Sequence, residues 1–399
     1  MKGFLLVAAI VFSLLLALPG VQMLTGFPAD RPLAGAETRT QRPTRTWTAW
    51  WDGRFQAEFD TWLSQRIGLR GVMVRLANQI RYSLFGELPT GRGTQVLKGK
   101  NGFLFEKVYV DSYRKGGTRP EKELRHVSAS TRRLQDYLAA DGVAFLLVIA
   151  PSKAEIYPEH LPPGADVDGR PQRQSNYQNI IGMLREDGVN VLDTHELFRE
   201  WKAEPGAPLL FAKGGTHWNQ YGAARVVSKI MERLRDLTGK DLPAIAVTGA
   251  VTNRTIVGAD NDLGELANLW SGRGLAGPQI HPVIERREGG DLPDILFIGD
   301  SFIFTLTDWM DRENLYGRRE TYYYYNRQFT FPDGGDSPLD KRQLDLLSEV
   351  RGRDAVVIEI NEHWLPRIGF GFVRDLLRAY IRLEAAEEPG KAHPDVHGI

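Results

Sequence analysis

No cysteine occurs in the 399 residues. Disulfides, thiolate nucleophiles and cysteine-bound zinc are therefore excluded. The absence does not fix a compartment. A charge imbalance is missing too, since 50 basic residues face 50 acidic ones. Nothing in that balance points to nucleic acid. Internal repeats and low-complexity blocks are also absent. What is there, 42% hydrophobic and 10% aromatic residues, suits an ordinary globular chain. Its length allows one large domain or two modest ones.

The N-terminus carries a signal-type segment. Lys2 precedes an apolar run from Phe4 to Leu18; Pro19-Gly20 follows, then a second patch, Val21 to Phe27. Carried through Leu24, the run is long enough to span a thin bilayer. The small-x-small site Ala34-Gly35-Ala36 lies far from it. We read residues 1–27 as an uncleaved anchor with Lys2 in the cytoplasm, a cleaved peptide being the alternative. Residues 28–46 read as a linker. Residues 47–387 read as the main domain, with 240–290 as an insertion, and 388–399 as a flexible tail.

Along the domain, strand and helix patterns alternate, which predicts an α/β fold with a mainly parallel sheet flanked by helices. Trp47 to Gly86 is helical in pattern, with Met73, Leu76, Ala77, Ile80 and Leu84 on one face. The aromatic residues between Trp47 and Trp62 are read as packing against the main domain, a sugar platform being the alternative. Asn101-Gly102 between β-like flanks, Gln95 to Phe105, signals a hairpin. Helices are expected over Glu121 to Ala140, Gln174 to Asp187 and His195 to Lys202. Strands are expected over Val143 to Ala150 and Val189 to Asp193. The first of these strands ends at Pro151-Ser152-Lys153. Lys213 to Gly222 opens a further helix, and Lys240 to Glu288, with an acidic turn at Asp260 to Glu265, is the least periodic stretch. After it come strands at Asp294 to Ile298, Tyr322 to Tyr325 and Ala355 to Ile360, with helices over Leu339 to Val350 and Val373 to Ala386.

The chemistry centres on Asp294 to Phe302. Ile295 to Ile298 suits a strand buried on both faces, Gly299 permits a tight turn, and a helix pattern begins at Phe302. A serine at such a corner presents its hydroxyl, and its own amide faces developing negative charge. Ser301 as a plain N-cap is the competing reading. Of eight histidines, His126, His160, His281, His393 and His397 fall on a helix, in loops or in the tail. His195, His217 and His363 remain. Asp193-Thr194-His195 and Glu362-His363 are ligand-like pairs without a third member, so no metal is assigned. His217, in a glycine-loosened turn beside Trp218, is the better general base for a hydroxyl nucleophile.

Four motifs carry a resemblance: Gly99-Lys100-Asn101-Gly102-Phe103-Leu104-Phe105; Pro151-Ser152-Lys153 with Ile156-Tyr157-Pro158; Thr216-His217-Trp218-Asn219; and Gly299-Asp300-Ser301-Phe302. In this order they resemble the alginate O-acetyltransferase family, AlgJ/AlgX-type proteins with a domain similar to SGNH hydrolases. The resemblance covers roughly Phe55 to Ala385. It implies Ser301 as acyl-accepting nucleophile and His217 as its base. Counted from Ser301, the following strands lead to Asn361 where an oxyanion-hole amide belongs, beside the Ser301 N–H. The histidine loop precedes the serine, as a circular permutation would place it. Where the family commonly has aspartate two residues before the histidine, this chain has Gly215. Asp193 is the expected substitute, with Glu362 second; Asp300, Trp218 and Lys153 are expected in support.

The expectation is an exported O-acetyltransferase that moves acetyl groups onto hydroxyls of an extracellular polysaccharide through an acyl-serine. It is periplasmic, anchored in the inner membrane, and needs no soluble cofactor. The resemblance implies a multipass membrane acyltransferase partner supplying acetyl. A carbohydrate esterase with the same residues, or a non-catalytic subunit of an exopolysaccharide complex, remains open.

Overall fold

The computed structural model describes residues 2–35, 40–88, 96–115, 118–165 and 175–387. Ala36 of the small-x-small site, Gln95, Gln174 and the tail from 388 lie outside them. The chain divides into two compact units, Met1–Lys98 with Leu263–Gly274, and Gly99–Asp262 with Leu275–Ile399.

In the first unit, α1 (Lys2–Thr25) holds a stretch, Gly3–Thr25, long and apolar enough to cross a membrane. The short α2 (Trp47–Trp51) is capped by Thr46, whose side chain accepts from the Ala49 N–H. α3 (Arg54–Arg66) and α4 (Arg70–Phe85) follow, and the left-handed Gly86 ends α4 (φ 66°). The aromatic residues of this unit stay largely at its surface. Trp47 and Trp51 stand exposed, while Trp50, Phe55, Phe59 and Trp62 form a ladder with successive centroids 5.1, 5.8 and 5.9 Å apart.

In the second unit, a seven-stranded sheet is the frame. Its strands are β1 (Ala144–Ala150), β2 (Val191–Asp193), β5 (Asp294–Gly299), β6 (Arg318–Tyr323), β7 (Arg327–Phe331), β8 (Asp336–Pro338) and β9 (Ala355–Asn361). The spatial order is β8-β7-β6-β5-β9-β1-β2; it is parallel from β6 to β2, with β7 and β8 added antiparallel. β9 is buried along its whole length, Glu359 and Asn361 included, and its apolar start Ala355–Ile358 suits a central parallel strand.

Side chains alternate across the sheet. Phe145, Leu147, Ile149, Leu296, Ile298, Val356 and Ile358 face a core closed by helices Glu121–Ala140, Asn176–Glu186 and Phe372–Glu387. Glu359 and Asn361 fall on the opposite face by the same alternation. The stretch Lys240 to Glu288, read as aperiodic, contains a long antiparallel hairpin, β3 (Ala244–Asn253) with β4 (Gln279–Arg287). Only Leu346–Val350 of the helix expected from Leu339 is formed. The strand expected to reach Tyr325 stops at Tyr323, because Tyr324 and Tyr325 take left-handed conformations (φ 45° and 50°).

Candidate active site

Ser301 follows β5 at the carboxyl edge of the sheet, between Gly299 and a helix over Ile303–Arg312. The turn needs its glycine, since a Cβ at Gly299 would sit 2.7 Å from Ile303 and 2.9 Å from Glu359 Oε2. His217 Nε2 lies 2.8 Å from Ser301 Oγ. Two stretches 84 residues apart in sequence thus meet at one hydroxyl.

Several contacts hold the His217 loop. Lys153 is buried and donates to the carbonyls of Ala212 (3.1 Å), Lys213 (3.2 Å) and Gly215. Burial pulls its pKa down to about 7. The Leu104 N–H donates to Lys213 O at 2.8 Å. Lys213 Nζ reaches back to Asn101 O in the turn where Asn101 and Gly102 both have positive φ. Trp218 is buried and donates its indole N–H to Phe302 O at 3.1 Å, tying the imidazole's neighbour to the serine's. Asn219 caps the following helix, Gln220–Thr238, by accepting from the Gly222 N–H.

The acid behind the imidazole is Asp262, which sequence reasoning passed over. Its Oδ2 lies 2.8 Å from His217 Nδ1, and its Oδ1 accepts the Thr216 N–H at 2.7 Å. Gly214 and Gly215 explain the arrangement. A Cβ on Gly215 would lie 2.8 Å from Ala259 O, and one on Gly214 would lie 2.3 Å from Asn261 Oδ1. The space a side chain would need is filled by the segment that delivers Asp262. The visible signals were the paired glycines and the acidic turn.

Asp193 is a correction. Its carboxylate accepts from Tyr177 (2.9 Å), Arg185 (3.0 Å) and the Glu196 N–H, so it caps a helix away from His217. Glu362, the second candidate, sits 3.0 Å from His195 and accepts the Ser152 N–H. His363 packs edge-on against Tyr109. Among the described residues no three His, Asp or Glu side chains converge as metal ligands.

Beneath the serine, Asp300 bridges the two strand ends. It accepts the Phe302 N–H (3.0 Å) and the Asn361 N–H (2.8 Å). Its own N–H donates to Glu359 at 3.3 Å. Burial and the Asp300 charge push Glu359 well above the carboxylate range. Burial raises the Asp300 carboxyl as well, and the Phe302 and Asn361 amides that it accepts partly offset that rise. Past the register pair Ile298↔Ile358, β5 turns at Gly299 into Ser301 while β9 runs on to Asn361, and Asp300 ties the two ends by accepting the Asn361 N–H. Asn361 Oδ1 accepts the His363 N–H at 3.0 Å, whereas its buried Nδ2 has no partner. One end of the amide caps the next turn and the other keeps its hydrogens free. Tyr324, also missed, stands close enough to Ser301 for that side chain to offset part of the rise that burial gives the tyrosine hydroxyl.

A parallel-sheet α/β unit with a hydroxyl, an imidazole and a carboxylate in series at its carboxyl edge defines an SGNH hydrolase-like protein. The family model described as "SGNH hydrolase-like domain, acetyltransferase AlgX" matches residues 96–303, just over half of the chain, and the chain belongs to that family. It is 27% identical over 197 residues to "Probable alginate O-acetylase AlgJ" of Pseudomonas aeruginosa, covering 48% of this chain and 46% of that protein. It is 23% identical over 186 residues to the Azotobacter vinelandii protein of the same name, covering 47% and 44%. The chain thus spans about half the length of these relatives. Among solved structures, the O-acetyltransferase domain of Pseudomonas putida AlgJ aligns with a TM-score of 0.42 at 18% identity, over 68% of this chain and 92% of that one.

Proposed function

We propose that this chain is an O-acetyltransferase that moves acetyl groups onto hydroxyls of an extracellular polysaccharide through an acyl-Ser301 intermediate. The observation that carries the reading is the 2.8 Å contact between His217 Nε2 and Ser301 Oγ, with Asp262 behind the imidazole. Ser301 Oγ attacks the acetyl carbonyl carbon while its proton passes to His217 Nε2. The tetrahedral intermediate expels the donor's leaving oxygen, which takes that proton. A sugar hydroxyl then gives its proton to His217 and attacks the acyl carbon, and Ser301 departs with the proton. The Ser301 N–H and Asn361 Nδ2 stabilise the oxyanion in both steps.

An acceptor site is supported by a cleft of about 530 Å³ lined by Tyr324, Asn326, Trp364, Arg367, Phe370 and Arg374. Aromatic faces with guanidinium groups suit a ring that carries many hydroxyls. The relatives' names support an alginate-like polymer as substrate class. The protein acts in the periplasm, held at the inner membrane by α1. A multipass membrane acyltransferase supplies the acetyl group. The test is incubation with an acetyl-ester donor with and without glycan. Transfer to glycan, lost in Ser301→Ala, is the expected result. Hydrolysis indifferent to glycan would make the protein an esterase. Unchanged polymer acetylation in cells carrying Ser301→Ala would make it a non-catalytic subunit.

A further inference from the structure

We infer that α4 is a second membrane element, its apolar stripe lying in the headgroup layer of the bilayer that α1 crosses. The inference rests on the reading of α1 as an anchor. α4 is built inside out. Its buried side holds Gly71 and Arg75, and the Arg75 guanidinium donates to the carbonyls of Arg31 (2.8 Å) and Pro32 (2.6 Å). Met73, Leu76, Ile80 and Leu84 form one face and are all exposed, Leu84 by 70%. A helix in water turns such a stripe inward. Left in water it forgoes roughly 25 cal/mol for each Å² of apolar surface.

The position of the stripe identifies what covers it. Gln22 Oε1, near the end of α1, accepts the Leu69 N–H at 3.2 Å, and a Cβ on Gly68 would lie 2.1 Å from Pro19 O. Asp30 accepts the Gly71 N–H at 2.6 Å, so the chain leaving α1 is strapped to the start of α4. Gly3–Thr25 rises about 35 Å at 1.5 Å per residue, enough to cross a hydrocarbon layer of about 30 Å. The last turn of α1 therefore lies at the far boundary of that layer, and the start of α4 lies beside it. Trp47 and Trp51, 80% and 82% exposed in the same unit, are the residue type that settles at headgroup level. An apolar face left exposed among the described residues and starting at that depth meets lipid, as interfacial helices do.

The cysteine-free sequence permits single-site labelling of the full chain. Leu14→Cys, Leu76→Cys, Leu84→Cys and Lys122→Cys would each carry an environment-sensitive fluorophore, in phosphatidylcholine–phosphatidylglycerol vesicles with and without brominated lipid. Expected are blue-shifted emission and bromolipid quenching at 14, 76 and 84, with neither at 122. Water-like emission at 76 and 84 beside a quenched probe at 14 overturns the inference and leaves the anchor standing. Water-like emission at 14 as well removes both. A blue shift at 76 and 84 without bromolipid quenching assigns the stripe to a protein neighbour and also overturns the inference.

Discussion

An imidazole can hold its proton on either nitrogen, and the carboxylate behind His217 selects Nδ1, leaving the Nε2 lone pair for Ser301. Asp262→Asn keeps the shape and loses that selection. We expect kcat on acetyl-ester donors to fall by a factor on the order of 10⁴ with little change in KM. Asp193→Ala leaves kcat where it was and costs about 1 kcal/mol of stability in denaturant titration, because it removes a helix cap. Equal losses of kcat in the two variants would contradict the assignment. Lys153 belongs to the same scale: one buried amine gathers three carbonyls of the loop that carries His217.

Loop and hairpin decide the next level. The Gly214-Gly215 pair is a docking surface for the turn carrying Asp262, so the aspartate usual in the family at position 215 has no room here. In Gly215→Ala the turn must shift, and kcat should drop toward that of Asp262→Asn while the far-UV spectrum stays unchanged. A variant with normal kcat would show that the turn yields without moving its carboxylate. This is also where the sequence stopped being legible. β5 and the start of β9 announce themselves as runs of buried apolar residues, and the Ser301–His217 pairing was what the family resemblance implied. Asp262 could not be read in the same way. Its role depends on the fold of a turn that ordinary surface chemistry would also explain, and the Ala244–Asn253 strand that precedes it is largely exposed beyond Ile245. Tyr324 was hidden for a related reason, since left-handed backbone at a tyrosine is a product of context rather than propensity.

For the molecule as a whole, the site has a cost that varies with pH. Asp260 is buried beside the Gln220 N–H, and its pKa is pushed up to about 7 by burial, with the Asp262 charge adding to the rise. Its folded pKa thus exceeds the unfolded value, so between about pH 4 and pH 7 the folded state binds more protons. Stability from this group is therefore lost as pH rises through that window. Asp260→Asn keeps an acceptor for the Gln220 amide and removes the titration. Relative to wild type, it should be more stable at pH 8 than at pH 5 in urea unfolding; an unchanged difference would remove the assignment. The order of strands carries a consequence for biogenesis. β9, the last of the sheet's strands in sequence, lies between β5 and β1, so each of those neighbours has an open edge until β9 pairs with it. The chain up to β5 and its turn already contains His217 and Ser301, whereas Glu359 and Asn361, which meet Asp300 beneath the serine, arrive only with β9. The support beneath the Ser301–His217 contact is thus completed only when the sheet closes.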